Sequence, residues 1–127
     1  MGVAVTVAPG AGFTSATATL ISSASDAAGY VTFTTATTIP GSGPYLLFTL
    51  TWGGAWAQTY GNPPVVGISA CGNPNNSRSA AFMAAVAALG PFFVVFNSAL
   101  TTAAVYCTSA PAQNTAYDIG YIAVQGP

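Results

Sequence analysis

Apolar and polar residues alternate with a period of two along most of the chain, which is the pattern of strands with one buried face. Segment 30–37 is an example, because Val31 and Phe33 lie between polar or half-polar residues. Segment 45–52 is the most hydrophobic of the set, so we expect it in the interior of a sheet. Segments rich in Gly, Pro, Ser and Asn separate eight predicted strands, at 2–8, 16–22, 30–37, 45–52, 65–72, 92–98, 102–109 and 116–124.

One segment departs from this period and predicts a short helix. Phe82, Val86 and Leu89 recur at helical spacing. Ser79 stands where an N-cap is expected, and Gly90 with the following proline ends the pattern. The sequence therefore predicts an all-β fold, a β-sandwich or jelly roll of about eight strands with one short helix.

The length of 127 residues suits one compact domain. We interpret residues 11–127 as this single β-sandwich domain. Residues 1–10 are interpreted as an N-terminal strand or arm that serves as an attachment segment.

Charge is nearly absent from the chain. Arg78, Asp26 and Asp118 are the three charged side chains among 127 residues, and Lys, Glu and His do not occur. Charged residues make up 2% of the chain, against roughly 25% in an average soluble domain. One arginine cannot displace the counterions of a phosphate backbone or bind an anionic membrane surface, so nucleic-acid binding and a polybasic membrane anchor are excluded. A neutral surface favours association, and we expect a homo-oligomer.

The same composition leaves few groups for catalysis. Neither histidine nor lysine is present to activate a Ser or Cys nucleophile. We expect Asp26 to hydrogen-bond within its Ser-rich turn and Asp118 to form a structural ion pair with Arg78. Two cysteines and two aspartates do not provide a zinc or calcium site, and no phosphate-binding glycine loop occurs. The sequence predicts no enzyme, no metal and no cofactor.

The longest apolar run spans residues 80–96, and Gly90 and Pro91 divide it. It is shorter than the roughly 20 residues of a membrane-spanning helix, so a helix followed by a strand is the favoured interpretation. The N-terminal segment lacks the features of a secretory signal. Without an oxidising compartment, Cys71 and Cys107 are expected to be buried free thiols, and a disulfide between them is the alternative.

Aromatic and amide side chains cluster in one Gly-rich loop. Such rings can stack on sugars while the amides bind hydroxyl groups, which would make this loop a glycan-binding site. The alternative is that the rings pack against the end of the sandwich or against a neighbouring subunit. The candidate residues for a glycan or subunit contact are Trp52, Trp56, Gln58, Tyr60 and Asn62.

Several motifs resemble a small β-rich domain of bacteriophage virion proteins, found in head decoration, head-fibre and minor tail proteins. Segment 8–38 contains a Gly-Ala-Gly opening, a Ser/Thr strand and the motif SASDAAGYVTFTT. Segment 48–69 is similar to the family's hydrophobic strand and the proline-preceded strand after it, and YIAVQ at 121–125 is similar to its closing strand. The loop around Trp56 and the helix at 80–89 depart from the family pattern.

The resemblance implies a β-sandwich, frequently trimeric, with a structural or host-contacting role and no catalytic residues. We expect a non-enzymatic virion protein, assembled in the bacterial cytoplasm, that decorates or cements the capsid or serves as a small tail accessory. Its expected partners are its own copies, as a homotrimer, and the major capsid or tail protein. The alternative is a tail-fibre or minor tail tip domain that binds host glycan. A more distant alternative is a holin-like membrane protein, on the basis of residues 80–96.

Overall fold

The computed structural model describes residues 4–56, 58, 61–73 and 78–125 of the chain. Two four-stranded antiparallel sheets pack face to face around a shared core, and one helix joins them. The elements in chain order are β1 (Val5–Pro9), β2 (Thr17–Leu20), β3 (Ala28–Thr34), β4 (Tyr45–Trp52), β5 (Pro64–Ser69), α1 (Ala80–Ala87), β6 (Phe92–Phe96), β7 (Thr102–Cys107) and β8 (Ala116–Gln125).

The strand order is β1-β4-β7-β6 in the first sheet, sheet A, and β2-β3-β8-β5 in the second, sheet B. The hydrophobic strand β4 lies in the interior of sheet A, as its sequence predicts. Strands β1 and β2 lie beside each other at one side of the sandwich, and β5 and β6 lie beside each other at the opposite side. Each of these four strands is therefore an edge strand with one hydrogen-bonded neighbour.

Apolar side chains at alternate positions along the strands fill the space between the two sheets. Val31 and Phe33 of β3 are fully buried, and the intervening Thr32 lies on the outer face. Complete burial of such side chains contributes roughly 1.5–3 kcal/mol each. The buried core residues are Phe13, Val31, Phe33, Leu47, Phe48, Leu50, Trp52, Trp56, Val86, Leu89, Ala103, Val105, Cys107, Tyr117, Ile119, Tyr121 and Ala123.

Helix α1 begins after the predicted cap. The Ser79 side-chain oxygen accepts a hydrogen bond from the backbone N–H of Phe82 at 3.1 Å, which satisfies one of the free N–H groups of the first turn. Val86 and Leu89 pack into the core. The carbonyl of Leu89 accepts a hydrogen bond from the backbone N–H of Thr108, so the end of the helix is joined to the loop after β7.

The structure confirms the predicted all-β sandwich, its eight strands and the helix within the 79–90 segment. Val5–Pro9 pairs with β4, so this part of the predicted 1–10 arm is an edge strand of the sandwich, and residues 1–3 lie outside the described residues. The 80–96 segment forms a helix followed by a strand. Within the described ranges, no helix is long and apolar enough to span a membrane.

Candidate functional site

The aromatic residues of the predicted site lie at the end of the sandwich where β4 finishes. Trp52 and Trp56 are 2% and 3% exposed, so both indole rings are inside the protein. Their ring centroids are 5.6 Å apart in an edge-to-face arrangement, and Trp52 stacks on Phe96 at 6.5 Å. Of the two alternatives for these rings, the structure shows packing against the sandwich end, and neither ring offers a face to an external sugar.

Backbone hydrogen bonds hold the two tryptophans against neighbouring turns. The N–H of Trp52 donates to the carbonyl of Thr101 at 2.9 Å, and the N–H of Trp56 donates to the carbonyl of Leu100 at 3.0 Å. The indole N–H of Trp52 donates to the backbone carbonyl of Asp26 at 3.3 Å. The aromatic cluster, which we define as Trp52, Trp56 and Phe96, thereby connects three loops at this end.

The other predicted site residues have different surroundings. Gln58 is exposed and Asn62 is half-buried. Tyr60 lies outside the described residues. The backbone N–H of Gln58 donates to the carbonyl of Ala55 at 3.1 Å, which is a local turn contact. Of the five predicted residues, the structure therefore brings Trp52 and Trp56 into contact.

Asp118 and Arg78 form the predicted ion pair on the outer face of sheet B. Arg78 Nε donates to Asp118 Oδ2 at 2.9 Å, and the Asp118 side chain is fully buried. Thr32 Oγ1 donates to the other carboxylate oxygen at 2.8 Å, and Asn73 donates to Thr32 at 3.3 Å. The Arg78 guanidinium also lies over the ring of Phe82, 4.4 Å from its centroid. These contacts attach the segment before α1 to the centre of sheet B.

A shallow groove of about 180 Å³ lies next to this ion pair on the same face. Gly120 forms part of its floor, where an added Cβ would come within 3.2 Å of the Cys71 Cβ. Tyr30, Ser69 and Ile122 also line it. The Cys71 sulfur lies 3.0 Å from the Ser69 hydroxyl oxygen, and neither group is a base that could activate the other.

Both cysteines are free thiols, so the structure agrees with the first of the two alternatives for them. Cys107 is fully buried and donates to the carbonyl of Ser109 at 3.2 Å, while Cys71 is half-buried. Burial raises the pKa of the Cys107 thiol to about 11. Among the described residues, no three Cys, His, Asp or Glu side chains come together as a metal site would require.

The sequence analysis missed a group of exposed apolar side chains. They lie near the side of the sandwich where β5 and β6 are neighbours, on the outer face of sheet B for β5 and β8 and on the outer face of sheet A for β6. Their exposed fractions range from 39% to 61%. A signal was present, because segments such as FFVVF and YIAV are apolar at both odd and even positions. Strands of that kind are typically covered on both faces. The exposed residues are Val65 on β5, Phe93 and Val95 on β6, and Ile122 and Val124 on β8.

The arrangement offers surfaces for packing and no recognisable acid–base pair among the described residues. Its carboxylates are buried within the protein, and its thiols have no basic side chain beside them. No protein-family model, curated protein or solved structure matches this chain.

Proposed function

We propose that the protein is a non-enzymatic structural component of a bacteriophage virion. It decorates or cements the capsid surface, or serves as a small tail accessory, and it works as a homo-oligomer. The observation that carries the proposal is the neutral outer surface of the sandwich. The sequence motifs at 8–38, 48–69 and 121–125 resemble virion domains, and they support a bacteriophage virion as the assembly in which the protein functions.

The three charged side chains of the chain contribute little to its surface. Asp26 and Asp118 are 1% and 0% exposed, and Arg78 is bound to Asp118 with a quarter of its side chain exposed. Proteins that function as separate soluble monomers normally use surface charge to prevent association. A protein whose surface is covered by neighbours in an assembly has no such requirement.

Exposed apolar residues support the same conclusion. Val65, Ile122 and Val124 form a patch on the outer face of sheet B, where Val65 is directly opposite Val124 in the β5–β8 register. Such patches on a small protein are characteristic of contact surfaces for other proteins. Host glycan binding would need exposed rings, and the burial of Trp52 and Trp56 argues against it.

The test uses virions of the phage that encodes this chain, separated into heads and tails, with particles from a gene-deleted phage as the control. Quantitative mass spectrometry should find the chain on heads in a number comparable with the major capsid protein. Deletion should leave particles that adsorb normally but lose integrity at lower temperature. Absence from purified particles contradicts the proposal. Presence at the tail tip, together with lost adsorption on deletion, favours the glycan-binding alternative.

A further inference from the structure

Strand β6 has a free hydrogen-bonding edge, and its register with β7 shows which residues form it. The backbone N–H of Asn97 donates to the carbonyl of Thr102, so these two residues are a hydrogen-bonded pair that continues the β6–β7 ladder. Hydrogen-bonded and non-hydrogen-bonded pairs alternate in an antiparallel ladder. Phe93 and Val95 therefore direct their N–H and C=O groups towards β7.

The alternate residues direct their backbone groups away from the sheet. Phe92, Val94 and Phe96 have N–H and C=O groups on the open side of β6, and within the described part of the chain no strand pairs with that side. Their side chains point inwards and pack against the core. The open edge is therefore a row of backbone donors and acceptors without a strand partner, on a strand that is packed against the core.

The outer face of β6 is apolar as well. Phe93 and Val95 are 39% and 50% exposed, and the ring of Phe93 stacks on that of Tyr106 with 5.0 Å between centroids. The strand FFVVF contains no charged residue, proline or glycine. Proteins normally protect exposed edges with such residues or by keeping the edge strand very short. Of the other edge strands, β1 ends at Pro9, β5 begins at Pro64, and β2 has four residues.

We propose that β6 pairs antiparallel with β6 of a second copy, about a two-fold axis at Val94. In this register Val94 is opposite Val94 of the second copy, and Phe92 is opposite Phe96 of the second copy. Every outward-facing N–H and C=O group of the strand then gains a partner, whereas a shift of two residues in either direction leaves one end unpaired. The two A sheets become one continuous eight-stranded sheet.

The occupant is a second copy because the strand is complementary to itself in this register. Phe93 lies beside Val95 of the second copy on the outer face, and Val95 lies beside Phe93 of the second copy. Pairs of aromatic and β-branched residues directly opposite each other stabilise antiparallel strands. Charge does not oppose the pairing, since β6 carries none, and it also offers nothing for a charged partner to recognise.

This inference goes beyond the proposed function, because it selects a two-fold assembly and can be tested on purified protein outside any particle. The resemblance to virion domains implies a trimer, whereas pairing through β6 gives an even number of copies. Failure of β6 pairing in solution and absence of the chain from virions are separate results, so the two proposals can fail independently.

The first experiment measures the mass of the full chain by size-exclusion chromatography with light scattering. The wild type should have an even multiple of 12.6 kDa, with about 25 kDa as the basic unit. Val95→Lys should be a monomer with an unchanged circular dichroism spectrum. In the paired strands, each copy would place a charged lysine beside the apolar Phe93 of the other copy. Thr19→Lys is the matched control: its residue is also exposed but lies on β2, at the opposite side of the sandwich, and it should keep the wild-type mass.

A second experiment detects the pairing directly and does not depend on weakening it. Opposite residues of a hydrogen-bonded antiparallel pair have Cα atoms about 5.5 Å apart, which suits a disulfide. Val94→Cys should give a covalent dimer on a non-reducing gel after mild oxidation, while wild type and Thr19→Cys should not. A monomeric or trimeric wild type, or a Val94→Cys variant that does not crosslink more than the controls, overturns the proposal.

Discussion

Trp52 is held at the end of β4 by contacts of three kinds. Its ring packs edge-to-face on Trp56 and stacks on Phe96, its indole N–H donates to the carbonyl of Asp26, and its backbone N–H donates to Thr101. A smaller side chain would leave a cavity and remove the partner of a buried carbonyl. The residue therefore contributes to stability rather than to a binding surface.

Trp52→Ala should lower the free energy of unfolding by about 3–5 kcal/mol, which is the usual range for emptying a buried aromatic site. Trp56→Ala should have a similar effect, because its ring is buried to the same degree. Urea unfolding followed by circular dichroism measures both. Gln58→Ala, in an exposed residue of the same loop, is the control and should leave stability unchanged.

The alternative in which this loop binds glycan makes the opposite prediction for these variants. A tryptophan that stacks on sugar can be removed without loss of stability, while binding to a glycan array disappears. Unchanged unfolding of Trp56→Ala together with lost glycan binding would therefore contradict the packing role that its burial indicates.

The buried Cys107 thiol and the buried Tyr121 hydroxyl make the stability of the fold decrease at alkaline pH. Burial raises the pKa of Cys107 from 9.0 to about 11, and burial together with the nearby negative charge of Asp26 raises the pKa of Tyr121 from 10.0 to about 12. Both groups keep their protons in the folded chain at pH values where the unfolded chain has lost them. The unfolded state therefore binds fewer protons between pH 9 and 12, and stability falls as pH rises.

Urea unfolding at pH 8, 10 and 11.5 should show a progressive loss of stability that begins near pH 9. Cys107→Ala should move the beginning of this loss to about pH 10, because the tyrosine then titrates alone. A free energy of unfolding that stays constant or rises from pH 9 to 12 would contradict the burial of the two protons.

At the level of elements, the ion pair on sheet B joins parts of the chain that are distant in sequence. Asp118 is on β8, Thr32 is on β3 and Arg78 precedes α1. The two sheet residues are neighbours in the β3–β8 register, so the carboxylate has a fixed position for the arginine to meet. The pair thus attaches the segment before α1 to strand β8.

Arg78→Met should lower the free energy of unfolding by about 3 kcal/mol, because it leaves the buried Asp118 carboxylate without its counter-charge. The lower end of the usual range applies, since a quarter of the Arg78 side chain is exposed and water weakens the attraction between the two charges. Adding Asp118→Asn should recover most of the loss. Chemical unfolding of the single and double variants measures the coupling, and an Arg78→Met protein as stable as wild type would show that the pair is dispensable.

Strands and helix could be predicted from sequence because their signals are local. Alternation around Val31 and Phe33 depends on neighbouring residues, and so does the capping of α1 by Ser79. The order of strands within each sheet depends on pairing between distant segments, which no local pattern contains. The sequence FFVVF therefore predicted a strand, whereas the position of β6 at an edge emerged from the fold.

The candidate site shows the same limit. The sequence identified Trp52 and Trp56 as an aromatic cluster, but exposure depends on which turns close over the end of the sandwich. The pairing of Asp118 with Arg78 was predictable because the chain contains a single cation. The groove beside Gly120 was not, since it forms where β3, β5 and β8 bring small residues together.

For the molecule as a whole, the distribution of side chains divides the sandwich into two unlike sides. Among the described residues, the exposed large apolar side chains are on β5, β6 and β8, while the exposed residues of β1 and β2 are threonine, alanine and proline. The apolar side contains the open edge of β6. An assembly that covers this side would leave the threonine-rich side in contact with solvent or with other proteins.

An assembly held by such a surface should be nearly insensitive to sodium chloride. Salt screens interactions between exposed charges, and strands β5 and β6 contain no charged residue. The dissociation constant, measured by analytical ultracentrifugation, should change by less than about threefold between 0.05 and 1 M sodium chloride. Ammonium sulfate should tighten association, because excluded salts strengthen apolar burial. A dissociation constant that weakens tenfold or more in sodium chloride would contradict a neutral interface, because charge pairs would then be holding the copies together.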